Sequence, residues 1–322
     1  MDPLPTGMWR TSRWLRRYDW DWEQRPYAGV DVRSAALRAA TYPRHFFYHV
    51  HTVADAARGA SGHLIEYSDA LQDILIMAGD PATLQDMADG ELGRRYTAEA
   101  VSEVLRGLIS RGLIVPADME EPVDTVAVAE AAAALYIAIQ VPGEFARAMD
   151  VVKDHAPRTV VEVGTAGGGA LFGWAQVAQP DARLVSVDLP GGVGGGGYLP
   201  HHTAHFRTFC GPDQQLHCIL GDSHSPGVIR RVHSALDGRP VDFLLIDGDH
   251  SYEGARQDFE NYSGLVPEGG LIFFHDIQPP PSDAPQPMGV WRFWREIKDN
   301  YRHAEIVNDP NQFSAGFGIL YV

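Results

Sequence analysis

Val160-Val161-Glu162-Val163-Gly164-Thr165-Ala166-Gly167-Gly168-Gly169 decides how this chain is read. A β-branched apolar run carries one acid and ends in a turn richer in glycine than packing alone requires. The run reads as a buried strand, and the glycines as a tight turn into a helix. Glycine there lets the backbone turn sharply, admits a ligand closely and leaves free N–H groups at the helix start. The next apolar run, Arg183-Leu184-Val185-Ser186-Val187, ends in Asp188. An acid at that place accepts hydrogen bonds from both hydroxyls of a ribose. A nucleoside-containing cofactor is the first inference.

From Arg158 onward apolar runs alternate with helical patterns. Candidate strands cover 159–163, 183–188, 216–220, 241–246, 270–275, 304–308 and 316–321. Such alternation predicts an α/β fold, a Rossmann-like parallel sheet covered on both faces. The last two strands flank a short Asp309-Pro310-Asn311-Gln312 turn, which predicts an antiparallel hairpin at one edge. Seven strands closed in this way point to a methyltransferase-type sheet. An NAD-type fold would carry G-x-G-x-x-G, and the residue two after Gly164 is Ala166.

Two strands end in groups with chemistry. Leu244-Leu245-Ile246 runs into Asp247-Gly248-Asp249-His250-Ser251, and Leu271-Ile272-Phe273-Phe274 runs into His275-Asp276. Both ends fall on the carboxyl edge of the sheet, where open α/β folds bind ligands. Asp247, His275 and Asp276 can offer two carboxylates and one imidazole nitrogen to a divalent ion. Oxygen ligands favour Mg²⁺ or Mn²⁺, and the imidazole makes Fe²⁺ and Zn²⁺ more competitive. Asp247 also borders the cofactor, and Asp222-Ser223-His224 after the third strand lies near an adenine or forms a plain turn. Asp249 reads as a helix-terminus acid.

The arrangement Glu162-x-Gly164-x-Ala166-x-Gly168 resembles the first motif of class I S-adenosylmethionine-dependent methyltransferases. With Gly-Asp-Ser-His, Asp-Gly-Asp-His and His-Asp following in order, residues 140–322 resemble a metal-dependent branch that methylates natural products and sugars, including macrolide-sugar O-methyltransferases and cephalosporin-hydroxylase-like proteins. The resemblance implies that Glu162 holds the amino group of the cofactor's methionine part and that Gly164, Thr165, Ala166 and Gly168 admit the cofactor. Alanine for the middle glycine is a small departure. It further implies Asp247, His275 and Asp276 as metal ligands, with histidine where several relatives carry an acid, and His250 as general base. A helix cap is the alternative for His250, and a role orienting Asp276 the alternative for His275.

The front of the chain follows another pattern. Residues 1–45 are rich in Trp, Arg and Tyr without clean period, as expected of a segment wrapped over a neighbouring domain or subunit. His63-Leu64-Ile65-Glu66-Tyr67 reads as a short strand and Asp69–Met77 as a helix. Thr83 caps one helix, with Asp86 three residues on, and Thr97 caps Ala98–Arg111, which Gly112 stops before the strand Leu113-Ile114-Val115. Helix, turn, helix, strand is the outline of a winged-helix unit. It resembles the dimerising front domains of small-molecule O-methyltransferases and the peptide-recognition domains of ribosomal-peptide maturation. A helical cap over the active site is equally compatible. The expected domains are 1–120, a linker and helix over 121–142 (with a helical Val126–Gln140), and a methyltransferase domain over 143–322 that opens on a helix from Glu144 to His155.

Composition narrows the partners. At 322 residues with 45% hydrophobic content, two packed domains are expected. A formal net charge of −16 argues against nucleic acid as partner. The Arg10–Arg17 cluster is short and reads as surface. Cys210 and Cys218 are too few for a disulfide framework or zinc cluster. The start lacks an apolar leader, and the longest apolar-leaning stretch, Ala127–Val141, contains Glu130, so a soluble cytoplasmic protein with no membrane contact is expected. The front-domain resemblance implies a homo-oligomer, a dimer. Gly191–Tyr198 reads as a glycine-dense lid or a surface loop, and Trp291 and Trp294 share one face, more core than platform, of a helix over Met288–Asn300.

The expected function is methyl transfer from S-adenosylmethionine to a hydroxyl of a sugar or polyketide acceptor, aided by Mg²⁺ or Mn²⁺. A peptide acceptor recognised by the front domain, or a non-catalytic S-adenosylmethionine-binding protein, stands as the alternative.

Overall fold

The computed structural model describes residues 4–12, 15–19, 45–49, 63–65, 82–89, 96–110, 112–135, 138–191, 197–198, 200, 202–211, 213–282 and 288–322. The expected helix Asp69–Met77, most of residues 1–45 and the centre of the glycine-dense loop lie outside them. Two compact units are present, the first holding 1–25 and 33–127, the second 26–32 and 128–322. Among the described residues no helix is long and apolar enough to cross a membrane.

In the first unit, β1 (Met8–Thr11) lies between β5 (Ala82–Thr83) and β6 (Ile114–Pro116), antiparallel to both. A second sheet holds β2 (Leu15–Asp19), β3 (His45–His49) and β4 (His63–Ile65). Helix α1 (Leu84–Asp89) starts on the Thr83 hydroxyl, which accepts the Asp86 N–H at 3.0 Å and donates to its carboxylate at 2.6 Å. Thr97 similarly accepts the Ala100 N–H at the start of α2 (Ala98–Ser110). Val101, Leu105 and Leu108 of α2 pack with Trp9, Met87, Leu113 and Ile114, while Ala100 and Val104 face solvent. Glu121, within the expected linker, is buried on β1, where it pairs with Arg10 at 2.7 Å and accepts from Ser12. Helix α1, α2 and β6 follow in the expected order, and the remainder of the winged-helix outline falls outside the described residues. Helix α3 (Thr125–Leu135) stops short of the expected Gln140. Ala138 lies so close to Gly169 that a Cβ there would sit 2.2 Å from the Ala138 nitrogen, which helix packing with a larger residue forbids.

The second unit has α4 (Pro142–His155), β7 (Thr159–Val163), α5 (Gly169–Val177), β8 (Arg183–Asp188), α6 (His202–Arg207), β9 (Gln215–Leu220), α7 (Pro226–Leu236), β10 (Phe243–Ile246), α8 (Tyr252–Tyr262), β11 (Leu271–His275), α9 (Val290–Ile297), β12 (Arg302–Ile306) and β13 (Phe317–Tyr321). Seven of these strands form one sheet in the order β12-β13-β11-β10-β7-β8-β9. The five strands from β11 to β9 are parallel, and β13 is antiparallel to both β11 and β12. This is the Rossmann-like methyltransferase sheet expected, with the closing hairpin at its edge. Central strands are covered on both faces, so β7, β10 and β11 are buried at every position and read as apolar runs.

Register decides what meets at the carboxyl edge. Val163 pairs with Ile246 and with Val187, and Ile246 pairs with Phe274. The ends of β7, β8, β10 and β11 therefore finish level, and the residues after them line up in one row.

Below that row, Trp174 of α5 forms the centre of one face. Its ring lies edge-on to Phe145 at 5.0 Å and to Phe243 at 4.9 Å, with Phe273 and Phe317 behind. On the opposite face Trp294 is buried as expected, whereas Trp291 is half-exposed beneath the Arg295 guanidinium. Trp174→Ala is expected to cost about 3–5 kcal/mol of unfolding free energy, the range for emptying a fully buried aromatic site. Urea unfolding measures it; a loss under about 1 kcal/mol would show that α5 is not the packing centre.

Candidate active site

The turn after β7 is built by contacts to its own chain. Gly164 has φ +91°, and a Cβ there would lie 2.0 Å from the Asp247 carbonyl oxygen. Only glycine fits. Gly168 has φ +84° and lies under the Phe206 ring, 2.5 Å from where a Cβ would be. Ala166 adopts φ +45°, a left-handed conformation that L-residues avoid. Its N–H donates to the Asp188 carboxylate, and that hydrogen bond holds it there. The same oxygen accepts the Thr165 N–H at 2.9 Å, and the other accepts the Leu189 N–H at 2.7 Å. Asp188 thus organises the glycine turn. Burial pushes its carboxyl up, against the pull of these three N–H donors.

Glu162 is fully buried beside it. Oε2 accepts the Thr165 hydroxyl at 2.9 Å, and Oε1 has no protein partner. Burial pushes this acid up to about 8, helped by the charges of Asp247 and Asp188. A buried acceptor left open suits a cationic donor, and the amino group of an amino-acid-bearing cofactor is one.

Two strands over, Asp247, His250 and Asp276 bring one donor atom each within 4.8 Å of one another. His250 Nε2 lies 3.4 Å from Asp247, and Nδ1 lies 3.1 Å from Asp276. His275 is buried behind them, with Nδ1 3.3 Å from Asp247 and 3.5 Å from Asp276. Its ring packs on Phe317, and Nε2 has no partner. Both imidazoles thus contact both carboxylates, His250 from the more exposed side and His275 from the buried one. Burial opposes charge on all four groups, but their mutual attraction outweighs it. Asp247 is held below the usual carboxylate range by His275 and His250, and Asp276 by His275. The carboxylates in turn push His250 up to about 9 and His275 well above the ordinary imidazole value.

Two supports of this cluster were not visible in the sequence. Gln140, 107 residues from Asp247, is buried and donates Nε2 to its Oδ2 at 2.9 Å, leaving its own Oε1 without a partner. Asp276 stands at φ +60°, held by the Ala315 N–H at 2.7 Å. The loop carrying Ala315 is in turn tied to buried Glu144, which accepts from the Asn308 and Gly316 N–H groups and the Gln312 amide. Glutamines and hairpin loops carry no local signal for such long-range contacts.

The other candidates lie around the rim. Asp222 is exposed and accepts the His224 N–H at 2.9 Å, an Asx turn. The Ser223 carbonyl accepts the Tyr262 hydroxyl at 2.7 Å. Asp249 accepts the Ser251 N–H at 2.8 Å at the start of α8, as expected of a helix-terminus acid. Ser251, not His250, caps that helix, by accepting the Gly254 N–H.

His224 adds a pair the motif reading left unused. Its Nε2 lies 3.2 Å from Asp258, which is wholly buried. Contact with Asp258 raises the imidazole pKa above 6.5, against burial. A histidine raised in the folded state contributes stability that is complete below its unfolded value and fades as the pH climbs through the folded one. His224→Gln is expected to lower the urea midpoint more at pH 5.5 than at pH 9. Equal losses at both would show that the charged pair contributes nothing.

The fold and this row of groups define the class I methyltransferase architecture. Residues 161–277 match the family model described as a methyltransferase domain. An uncharacterized protein of Sinorhizobium fredii is 29% identical over 146 residues, covering 44% of this chain and 15% of that protein. One from Acanthamoeba polyphaga mimivirus is 31% identical over 122 residues, covering 37% of this chain and 52% of that protein. The chain thus spans at most about half the length of these curated relatives. Solved structures similar to it include an O-methyltransferase from Bacillus cereus in complex with SAH, with a TM-score of 0.44 and 16% identity over 68% of this chain and 97% of that one. Another is an O-methyltransferase of tomaymycin synthesis from Streptomyces achromogenes, with a TM-score of 0.41 and 16% identity over 62% of this chain and 90% of that one.

Proposed function

We propose that this chain is an S-adenosylmethionine-dependent O-methyltransferase that uses a divalent cation, Mg²⁺ or Mn²⁺, and methylates a hydroxyl of a sugar- or polyketide-type secondary metabolite. One observation carries the reading. An acid with an open, buried oxygen and a cluster of two carboxylates and two imidazoles share one sheet edge in a methyltransferase domain.

The roles follow from the chemistry of each group. Glu162 accepts the cofactor's ammonium group, the turn Gly164-Thr165-Ala166-Gly168 and Asp188 shape its bed, and Asp222, Ser223 and Asp247 border it. Asp247 and Asp276 supply charge for a cation, with an imidazole from the same cluster, His275 or His250, completing the set. The sulfonium brings a methyl group that needs no activation, and a cation lowers the pKa of an acceptor hydroxyl. His250, the more exposed imidazole, stands where it can take that proton. The front domain, residues 1–120, recognises the acceptor or pairs with a second copy in a cytoplasmic dimer.

His250→Ala is expected to lower turnover on the order of 10²-fold or more while S-adenosylhomocysteine affinity stays constant. Retained turnover removes His250 from the chemistry. Measuring Mn²⁺ affinity of His250→Ala and His275→Ala side by side identifies the imidazole that ligates. Asp276→Asn is expected to abolish Mn²⁺ binding, and EDTA to abolish activity until Mg²⁺ or Mn²⁺ is returned. Full activity after thorough chelation would end the metal-dependent reading.

A further inference from the structure

We propose that Tyr198 is a positioning residue for Glu162, acting through a buried chain of hydroxyls; this rests on reading Glu162 as the acceptor for the cofactor's ammonium group. The chain is continuous. The Tyr198 hydroxyl lies 3.0 Å from Ser186 Oγ, Ser186 Oγ lies 2.7 Å from Thr165 Oγ1, and Thr165 donates to Glu162 Oε2 at 2.9 Å. Tyr198, Ser186 and Glu162 are 0% exposed and Thr165 3%. Water therefore does not compete for any link.

Thr165 donates to Glu162, and its oxygen shares a hydrogen bond with Ser186 Oγ at 2.7 Å. Ser186 Oγ is held from its other side by Tyr198: it donates to the phenol oxygen at 3.0 Å, and the phenol donates to the Ser186 carbonyl at 3.4 Å. The three hydroxyls hold one another in place, and the last of them, Thr165, sets the position of the carboxylate. Glu162 Oε2 is thereby fixed, and Oε1, beside the Trp174 indole, is left without a full hydrogen-bond partner. The site is built to select a donor-bearing group there.

Tyr198 is held rigidly enough for this. Gly197, with φ +95°, passes so near Leu189 that a Cβ would lie 2.2 Å from its carbonyl oxygen. The Tyr198 ring meets Phe206 edge-on at 5.0 Å, and Phe206 closes over Gly168. The residue that follows the glycine-dense segment is thus joined to the acid at the end of β7 by packing on one side and hydroxyls on the other.

Calorimetric titration of the full chain with S-adenosylhomocysteine and with its analogue lacking the α-amino group tests the proposal. Wild type is expected to bind the amine-bearing ligand more tightly. Tyr198→Phe, which keeps the ring, is expected to weaken S-adenosylhomocysteine about 3- to 10-fold, the effect of one hydrogen bond, and to leave the deamino analogue within about twofold. A purely structural role would weaken both ligands equally; that result, or no change in either, overturns the proposal. Should Tyr198→Phe fail to fold by its melting profile, Ser186→Ala breaks the same chain one link nearer and is held to the same outcomes. Wild-type indifference between the two ligands would instead sink the reading of Glu162 itself, and is seen without any substitution.

Discussion

The close passage of Gly164 over the Asp247 carbonyl is the constraint on which the site depends. A Cβ at position 164 would sit 2.0 Å from that oxygen, so β7 and β10 can leave the sheet side by side only with glycine there. The Asp247 N–H donates to Val163 and the Gly164 N–H to Val187, which ties the ends of β10, β7 and β8 together by backbone alone. These bonds set the register of the three strand ends, and with it the placement of the glycine turn beside the carboxylate cluster. Glycine-rich turns are usually credited to the ligand, but here the protein's own backbone makes the first demand.

Electrostatics divides the edge into two regions. Around Asp247 and Asp276, buried carboxylates find buried imidazoles, and each group keeps its charge because its neighbours offset the loss of water. Around Glu162 the groups that act on it are the Thr165 hydroxyl, the Trp174 indole and two more acids, and burial together with those acids pushes its carboxyl up. A buried, unpaired acid is costly, and such groups persist where a ligand completes them. Two of the left-handed non-glycine residues lie along this edge. Ala166 and Asp276 both hold left-handed conformations, each fixed by a hydrogen bond to an Asp carboxylate, and strain of this kind collects at binding sites.

Much of the second unit was legible because its signals are local. Strands β7 and β8 begin and end where the apolar-rich runs do, since a central strand buried on both faces shows no alternation with solvent to blur its limits. The closing hairpin was legible from its turn. Helix α3 was overrun: residues 138–140 are not helical, and Ala138 lies against Gly169 instead. In the site, the motif residues after β10 and β11 were found, yet the grouping of their side chains was not. His275 and His250 look alike on paper. Only the last strand residue's orientation into the Phe317 face buries the former, while the loop after β10 brings the latter between both carboxylates.

The sequence by itself determined the class of sheet, the order of its strands' functional ends and the kinds of group available for chemistry, since these depend on periodicity and on residue type. Tertiary structure alone decided which groups meet. Gln140 reaching Asp247, Ala315 fixing Asp276 and Tyr198 reaching Glu162 through Ser186 all join segments whose neighbours in the chain carry no trace of the contact. Long-range pairing follows from how helices and loops pack around the sheet, and packing is a property of the whole core, not of any local stretch.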